Sequence, residues 1–285
     1  MPTNRILAKI LLIITSVSQL SFPQEINNSI NRESMQNPGI FSAIKIDFDS
    51  GISDVFSTMK RPLEFEGSDW LKLGAIIGAT GFFMTQDDRI RNAVKTQHSS
   101  KMDNIVDIGE YYGGPERMLI IPGGIYLSGL IFNIKSFRTT GRILTENLLL
   151  TGIFVQVLKI SFGRSRPYTG RGSHFFSPFT FHNDNNSFPS GHTIVAFSTS
   201  SVLAERIDNI YASIGLYGLA SLTAYQRIYS DNHWFSDTFL SAAIGICIGK
   251  YIVKINEEKA TETYDFSFEP LISPDFKGIG LTFSF

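Results

Sequence analysis

Six long apolar segments dominate the sequence, and each is bounded by charged residues or by Gly and Pro. They cover residues 70–84, 118–134, 143–162, 192–206, 210–229 and 235–254. Apolar runs of this length, with little of the period-two alternation of half-buried strands, favour α-helices. The sequence therefore predicts an all-α bundle of six helices. A weaker amphipathic pattern predicts a further helix around residues 100–111.

Such a bundle can fold either in a bilayer or in water. The segments are close to the shortest length that crosses a membrane, and polar residues such as Glu146 and Asp237 would then face inward. A secreted, soluble bundle with unusually apolar helices is the alternative. Only 18% of the residues are charged, against roughly 25% in soluble domains, so we favour the membrane-embedded bundle. The formal net charge of −1 argues against a nucleic-acid partner.

The N-terminal region has the anatomy of a signal peptide. Arg5 and Lys9 flank an apolar core from about Ile10 to Val17, and small polar residues follow it. We expect residues 1–21 to be a signal peptide or an uncleaved N-terminal anchor. Both would send the chain into or across a membrane. Residues 22–69 form an N-terminal extension of mixed composition.

The C-terminal tail follows a period of two instead of the helical period. Apolar residues alternate from Tyr264 to Phe268 and again from Ile279 to Phe285, with Pro, Asp and Gly between the two runs. This pattern predicts a short β-hairpin within residues 257–285. One hairpin cannot span a bilayer, because its edge groups would lack partners. We therefore expect it to pack on the bundle.

A cationic cluster marks the end of the third apolar segment. It consists of Lys159, Arg164, Arg166 and Arg171. No carboxylate occurs between Glu146 and Asp184, so the local field is positive. Because guanidinium groups present a planar fork that matches phosphate oxygens, the cluster predicts a phosphate clamp. A basic patch that faces water or lipid headgroups is the alternative.

The stretch SFPSGHTIVAFS places Ser190, Gly191 and His192 at the start of an apolar helix. The first N–H groups of a helix are unpaired, and its dipole is positive there, so an anion is favoured. Gly191 lets the anion approach the backbone, Ser190 can donate a hydrogen bond, and His192 can transfer a proton. A simple helix cap is the alternative for a Ser-Gly pair taken alone.

A third cluster, QRIYSDNHWFSDT, contains Arg227, His233 and Asp237. His233 and Asp237 are four residues apart, so on a helix they share a face. A carboxylate behind an imidazole fixes its tautomer and stabilises its positive charge. Asp237 also lies in a helix suited to burial, where an unpaired carboxylate is costly. We therefore expect Asp237 to pair with His233.

The three clusters together predict phosphoryl transfer without a metal. No grouping of Asp and Glu suggests a Mg²⁺ or Ca²⁺ site, and the HExxH pattern does not occur. Guanidinium groups and backbone N–H groups would then stabilise the charge on the phosphoryl oxygens. We expect no cofactor.

These residues resemble the superfamily of type 2 phosphatidic acid phosphatases (PAP2) and vanadium haloperoxidases. Its signature is K-x6-R-P, then P-S-G-H, then S-R-x5-H-x3-D. The matching residues are Lys159, Arg166, Pro167, Pro189, Ser190, Gly191, His192, Arg227, His233 and Asp237, in order and with the same internal spacing. Gln226 is the one departure, because it stands where the third motif usually begins with Ser.

The resemblance implies a role for each motif residue. His233 would be the nucleophile that forms a phosphohistidine, and Asp237 would raise its basicity. His192 would protonate the leaving alkoxide and then activate water. The phosphate would be bound by Lys159, Arg166, Ser190, Gly191 and Arg227, and vanadate can occupy such a site. Residues 70–256 would be the phosphatase domain.

The function implied is hydrolysis of a phosphomonoester or pyrophosphate, most often of a lipid. The enzyme would lie in the membrane of a bacterial-type cell envelope, with its active site facing the periplasm or exterior. Two alternatives stay open: a soluble periplasmic acid phosphatase that acts on small phosphomonoesters, and a vanadium-dependent haloperoxidase. Outside the motifs, Arg164, Tyr168 and Arg171 are candidate headgroup contacts, and we expect Trp234 and Cys247 to be buried.

Overall fold

The computed structural model describes residues 39–261, 266–273 and 276–283. These residues contain nine helices of nine or more residues and a single-turn helix, Pro115–Met118. The nine are α1 Ile40–Lys60, α2 Gly67–Met84, α3 Asp87–Lys95, α4 Ser100–Gly113, α5 Ile120–Ile131, α6 Lys135–Phe162, α7 Gly191–Ile207, α8 Ile210–Tyr229 and α9 Phe235–Thr261. Short 3-10 turns cover Arg61–Glu64, Pro167–Thr169 and Asn183–Asn185.

The all-α expectation is confirmed, but the helix count of six is wrong for the described residues. All six apolar segments are helical, and the amphipathic helix expected around residues 100–111 is α4. The additional helices are α1 and α3, in which charged residues interrupt the apolar ones. An apolar run therefore does not reveal them, although both are regular helices.

Two strands follow the helices, Phe266–Ser273 and Phe276–Phe283. They pair antiparallel, with Phe266 opposite Phe283 and Ser273 opposite Phe276. Packing of this tail on the bundle stays a prediction. The expected signal peptide or anchor at residues 1–21 lies outside the described residues.

Helix α7 lies at the centre of the bundle, and glycines in α9 let the two helices approach closely. A Cβ atom on Gly245 would lie 2.7 Å from the carbonyl oxygen of Ile194. A Cβ atom on Gly249 would lie 2.6 Å from the carbonyl oxygen of Ser198. Real Cβ atoms do not approach so near, so these positions require glycine. The close packing fixes the start of α9 relative to the start of α7.

Helix α6 runs antiparallel to α7. Asn147 donates a hydrogen bond to Ser198 at 2.9 Å, and Val155 lies next to Gly191. The end of α6 therefore meets the start of α7, and the short turn after α8 brings the start of α9 to the same place. All three predicted motifs lie at this end of the bundle.

The outer surface of the bundle is apolar in several places. Helix α6 and residues Phe235–Lys259 of α9 are each long and apolar enough to cross a membrane by length and composition. Cys247 of α9 is exposed, so the expectation that it is buried is wrong. Apolar residues surround it in the sequence because the outward face of α9 is also apolar.

Candidate active site

Each motif residue is held at the end of a helix. Lys159 lies in the last turn of α6, and Arg227 in the last turn of α8. Ser190 is the N-cap of α7, and His233 lies just before α9. The charges of Lys159, Arg166 and Arg227 all act on His233. The structure therefore brings the three motifs together.

His233 is 2% exposed, and the main chain orients its ring. Nδ1 lies 2.6 Å from the carbonyl oxygen of Ser187. A carbonyl oxygen can only accept, so Nδ1 carries the hydrogen and Nε2 carries the free lone pair. Burial, followed by the positive charges of Lys159, Arg227 and Arg166, lowers the pKa of His233 well below its usual value. The neutral ring at neutral pH has a free nucleophilic nitrogen.

Asp237 does not hold the imidazole directly, in contrast to the pairing expected from the sequence. Its Oδ2 atom lies 3.6 Å from Nδ1 of His233. The same oxygen accepts hydrogen bonds from Ser187 Oγ at 2.5 Å and from the Trp234 N–H at 2.9 Å. Arg164 donates to Oδ1 at 2.6 Å. Asp237 therefore fixes the backbone on both sides of His233, and the Ser187 carbonyl fixes the ring.

Arg164 is fully buried, so the expectation that it contacts a headgroup is wrong. Its guanidinium bridges Asp237, at 2.6 Å, and Asp87, at 2.7 Å. Two buried carboxylates need a cation between them, because an unpaired buried charge is strongly unfavourable. Burial raises the pKa of Asp87, and the Arg164 charge opposes that rise. Asp87 also accepts a hydrogen bond from the Ser236 N–H at 2.9 Å, so α3 braces the start of α9.

Lys159 and Arg166 are short of acceptors. Within residues 39–261, the Lys159 side chain makes no hydrogen bond or ion pair, and the Arg166 side chain has one acceptor, Asn232 Oδ1 at 3.2 Å. The Nε groups of Arg166 and Arg227 are buried without a partner in the same part of the chain. Because unpaired buried donors are costly, an anion with several oxygens suits this group.

The start of α7 adds further donors. Ser190 Oγ accepts from Thr193 Oγ1 at 2.9 Å, so its own O–H can still donate. The N–H groups of Gly191 and His192 open the helix, where no intrahelical partner exists. A Cβ atom on Gly191 would meet only Val155, at 3.7 Å. Packing of the fold therefore does not require glycine at position 191. We infer that glycine instead keeps the N–H groups at the start of α7 accessible.

Glu110 of α4 is a site residue that the sequence analysis missed. It accepts a short hydrogen bond from Arg227 Nη1, and its other oxygen lies 3.6 Å from Nε2 of His192. Both neighbours, His192 first, lower the pKa of Glu110 to about 2. A Cβ atom on Gly109 would lie 2.5 Å from the Leu222 carbonyl oxygen. This glycine therefore lets α4 approach α8 closely enough for the contact.

The remaining candidates lie around the site. Gln226 accepts from Arg227 Nη1 at 3.2 Å, so it supports that guanidinium. Tyr168 donates to Asp184 at 2.8 Å. Trp234 is buried as expected and donates to the Ser165 carbonyl at 2.9 Å.

Arg171 approaches Asn185 Oδ1 at 3.4 Å. The three histidines outside the motifs, His98, His174 and His182, are exposed. Within the described ranges, no three His, Cys, Asp or Glu side chains lie close enough together to hold a metal ion.

Residues 141–260 match the family model of the PAP2 superfamily. All three motifs lie within this range in order, so this part of the chain is similar to the PAP2 superfamily.

Two curated relatives are similar over part of their length. The chain is 28% identical to a lipid A 1-phosphatase of Porphyromonas gingivalis over 183 residues, which are 61% of this chain and 36% of that protein. It is 27% identical to a PA-phosphatase related-family protein of Dictyostelium discoideum over 138 residues, which are 44% of this chain and 51% of that protein. The chain thus spans between about a third and a half of the curated relatives that it matches.

Two solved structures are also similar. The LpxE structure from Aquifex aeolicus has a TM-score of 0.47 at 23% identity, and covers 59% of this chain and 94% of its own. A transmembrane PAP2-type phosphatidylglycerolphosphate phosphatase from Bacillus subtilis has a TM-score of 0.48 at 14% identity, and covers 65% and 95%.

Proposed function

We propose that this protein is a metal-independent phosphatase that hydrolyses a lipid phosphate. One observation carries the proposal: unpaired buried donors of Arg166 and Arg227 surround a histidine whose Nε2 lone pair is free. The match of residues 141–260 to the PAP2 superfamily supports the same reaction, and so does the similarity to a lipid A 1-phosphatase.

The first step is transfer of the phosphoryl group to His233. Nε2 attacks phosphorus, the bond from phosphorus to the alkoxide oxygen breaks, and a phosphohistidine forms. His192 donates its proton to the departing oxygen. In the second step His192 takes a proton from water, and the water oxygen displaces His233 from phosphorus. Inorganic phosphate leaves, and both histidines return to their starting states.

The cations stabilise the charge that the phosphoryl oxygens carry in both steps. Arg166, Arg227 and Lys159 lie near enough to His233 for their charges to lower its pKa, and the N-terminus of α7 adds N–H groups. These fixed donors take the part that metal ions play in other phosphoryl-transfer enzymes. Glu110 holds Arg227, and its other carboxylate oxygen lies beside His192.

A lipid is the favoured substrate because apolar side chains surround the site. Phe179 and Phe181, on the loop between α6 and α7, are each 78% exposed. The Phe179 N–H donates to the carbonyl oxygen of Ile160, so this loop lies against the helix that carries Lys159. Acyl chains can cover such side chains when the phosphate reaches the cations, whereas a small soluble phosphomonoester cannot.

The bundle is proposed to lie in the membrane with the active site on the exterior side. Arg138 and Arg142, at the start of α6, and Lys259, near the end of α9, lie at the opposite end of the bundle from Lys159 and His233. Basic residues concentrate on the cytoplasmic side of membrane proteins. This arrangement supports a phosphate site on the periplasmic or outer side.

Phosphate release by the purified protein in EDTA tests the chemistry. We expect hydrolysis of p-nitrophenyl phosphate in EDTA, lost in His233→Ala and kept in the matched variant His182→Ala, which alters an exposed histidine. Reversible loss of activity in EDTA would contradict the metal-free mechanism. A panel of phosphatidate, phosphatidylglycerophosphate and lipid A phosphates tests the substrate class. If kcat/KM is higher on p-nitrophenyl phosphate than on every lipid, the lipid assignment is wrong while the chemistry stands.

A further inference from the structure

Helix α1 turns polar residues toward the bundle. Its buried residues are Ala43, Asp47, Gly51 and Asp54, which follow one another at intervals of three or four and so share one face. A helix packed on a soluble bundle buries its apolar stripe instead. The inward face of α1 is thus made of small and acidic residues.

Ion pairs hold this inward face in place. Asp47 accepts from Arg138 Nε at 3.1 Å. Asp54 pairs with Arg142 Nη1 and with Lys259 Nζ, both at 2.7 Å. Rotating the helix to bury its apolar residues would separate these buried charges from their partners, which is strongly unfavourable. The orientation of α1 is therefore well determined.

The outward side of α1 divides into two strips. At 100° per residue, one strip is apolar, and its members are 40–89% exposed. It comprises Phe41, Ile44, Phe48, Ile52, Phe56 and Met59. The other strip is polar and comprises Ser42, Asp49, Ser53, Ser57 and Lys60, with Ile46 as its one large apolar residue. Lys45 lies at the boundary and pairs with Asp49 at 3.3 Å.

A helix with an acidic inward face, an apolar strip and a polar strip is suited to a position at the boundary between lipid and water. In water the apolar strip would stay exposed, and within the hydrocarbon the polar strip would lack solvation. At the boundary, the apolar strip enters the acyl chains, the polar strip meets headgroups and water, and the acidic face stays on the protein.

The position of α1 along the bundle fits one face of a bilayer. It contacts α6 through Arg138 and Arg142, in the first turns, whereas Lys159 lies in the last turn. The 17 residues from Arg142 to Lys159 span about 25 Å at 1.5 Å per residue. Hydrocarbon cores are roughly 30 Å thick. The exposed apolar residues Leu149 and Ile153 on α6 continue the apolar surface toward the active site.

From these faces and this position, we infer that α1 is an interfacial helix that binds the bilayer on the side opposite the active site. The inference rests on the membrane embedding of the bundle in the proposed function, and not on which side of the membrane the active site faces. It goes beyond that function because α1 lies outside the family-matched residues 141–260. The partner of the apolar strip is lipid, at the level where headgroups meet acyl chains.

Tryptophan fluorescence in vesicles tests this inference. The chain has two tryptophans: Trp234 is 1% exposed and gives a constant background, and Trp70 is 57% exposed and is removed by Trp70→Phe. In that background Phe48→Trp places a reporter on the apolar strip, and Ser53→Trp is the matched control on the polar strip. The variants are reconstituted in phosphatidylcholine vesicles with or without bromine on the upper acyl chain.

We expect brominated lipid to quench the Phe48→Trp reporter at least twice as strongly as the Ser53→Trp reporter, and acrylamide to show the reverse order. Phe56→Trp, two turns further along, should repeat the Phe48→Trp result. Quenching of the apolar-strip reporters by acrylamide alone would place α1 in water and overturn the inference. Protection from both quenchers would also overturn it, because residues 1–38 or a second copy would then cover the strip.

The same vesicles report the proposed function separately. Phosphate release from a lipid phosphate measures the catalytic end and does not depend on quenching. Quenching by brominated lipid in vesicles that release no phosphate from any lipid would keep the α1 inference and reject the proposed function. Failure of the protein to float with vesicles would reject both.

Discussion

Nδ1 of His233 donates a hydrogen bond to the carbonyl oxygen of Ser187 over 2.6 Å. The Ser187 hydroxyl in turn donates to Asp237 at 2.5 Å. The carboxylate therefore acts on the imidazole through the backbone that it holds, and the ring keeps one tautomer even without a direct carboxylate contact. The Ser187 carbonyl thus orients the His233 ring, whereas Asp237 is the buried charge that pairs with Arg164.

Asp237→Asn tests this division. The amide oxygen can still accept from Ser187 and Trp234, so the ring stays oriented. The amide NH2 cannot accept from Arg164, so both the charge and the hydrogen bond on that side are lost. Where a carboxylate holds the histidine directly, the same change costs about 10⁴-fold in kcat. We expect a smaller loss here, of about 10²-fold, in initial rates with p-nitrophenyl phosphate. Asp184→Asn, an exposed carboxylate, is the control. A loss as large as that of His233→Ala would show that the carboxylate acts directly.

The lowered pKa of His233 predicts where activity fails in acid. Protonation removes the attacking lone pair, so the acid limb of kcat/KM that belongs to this group lies well below pH 6.5. Arg166→Gln removes one of the positive charges that lower this pKa, which makes the imidazolium less unfavourable. The acid limb should therefore move to higher pH in this variant, in addition to any loss of rate.

The measurement compares pH–rate profiles of the variant and the parent with one substrate, so ionisation of the substrate cancels. Arg171→Gln, in the same loop, should leave the limb in place, because Arg171 contacts Asn185 and the Phe175 ring and is not among the charges that lower the pKa of His233. An unchanged acid limb in Arg166→Gln would mean that a group other than His233 sets it.

Glu110→Gln removes a carboxylate that contacts Arg227 and lies next to His192. The Arg227 guanidinium loses its carboxylate partner and His192 loses a neighbouring acceptor, so both side chains are less well positioned in the site. Loss of an outer supporting residue costs about 10–100-fold in comparable sites, and we expect a fall of that size. Glu110→Asp should recover part of it, since the charge remains. Glu116→Gln, an exposed acid just after α4, serves as the control.

The role of Glu110 would be structural only if the loss of kcat/KM followed a loss of folded protein. An unchanged Tm in Glu110→Gln, together with partial recovery of kcat/KM in Glu110→Asp, separates positioning of Arg227 and His192 from a loss of folded protein.

The motif residues are recognisable in the sequence because each motif is a short, continuous stretch of the chain. His233 and Asp237 are four residues apart, and Ser190 precedes a helix directly, so spacing alone relates them. The contact of Glu110 with Arg227 follows instead from the close packing of two helices. No local sequence pattern indicates a contact between two helices, so Glu110 was not predicted.

Burial was the second property that the sequence did not reveal. Arg164 lies in a cationic cluster, and its guanidinium group is of a kind that binds phosphate. In the fold, however, it forms ion pairs with two buried carboxylates, Asp87 and Asp237. Asp87 is 77 residues away from Arg164, so the need for a cation there is visible only after folding. In the same way, the acidic residues on the inward face of α1 interrupt its apolar residues, so α1 contains no long apolar run that would predict a helix.

Gly191→Ala tests whether glycine at this position is required for folding or for phosphate binding. The new Cβ atom would lie 3.7 Å from Val155, an ordinary contact, and alanine favours a helix start over glycine. We therefore expect an unchanged Tm. The added methyl group would stand beside the N–H groups that receive the phosphate, and a displacement of about 1 Å at a reacting centre can cost 10²-fold. The expected result is a fall in kcat/KM of tenfold or more, whereas Gly218→Ala in the interior of α8, which meets nothing within 4 Å, leaves kcat/KM unchanged and does not lower the Tm. Full activity in Gly191→Ala would mean that the phosphate does not approach the start of α7.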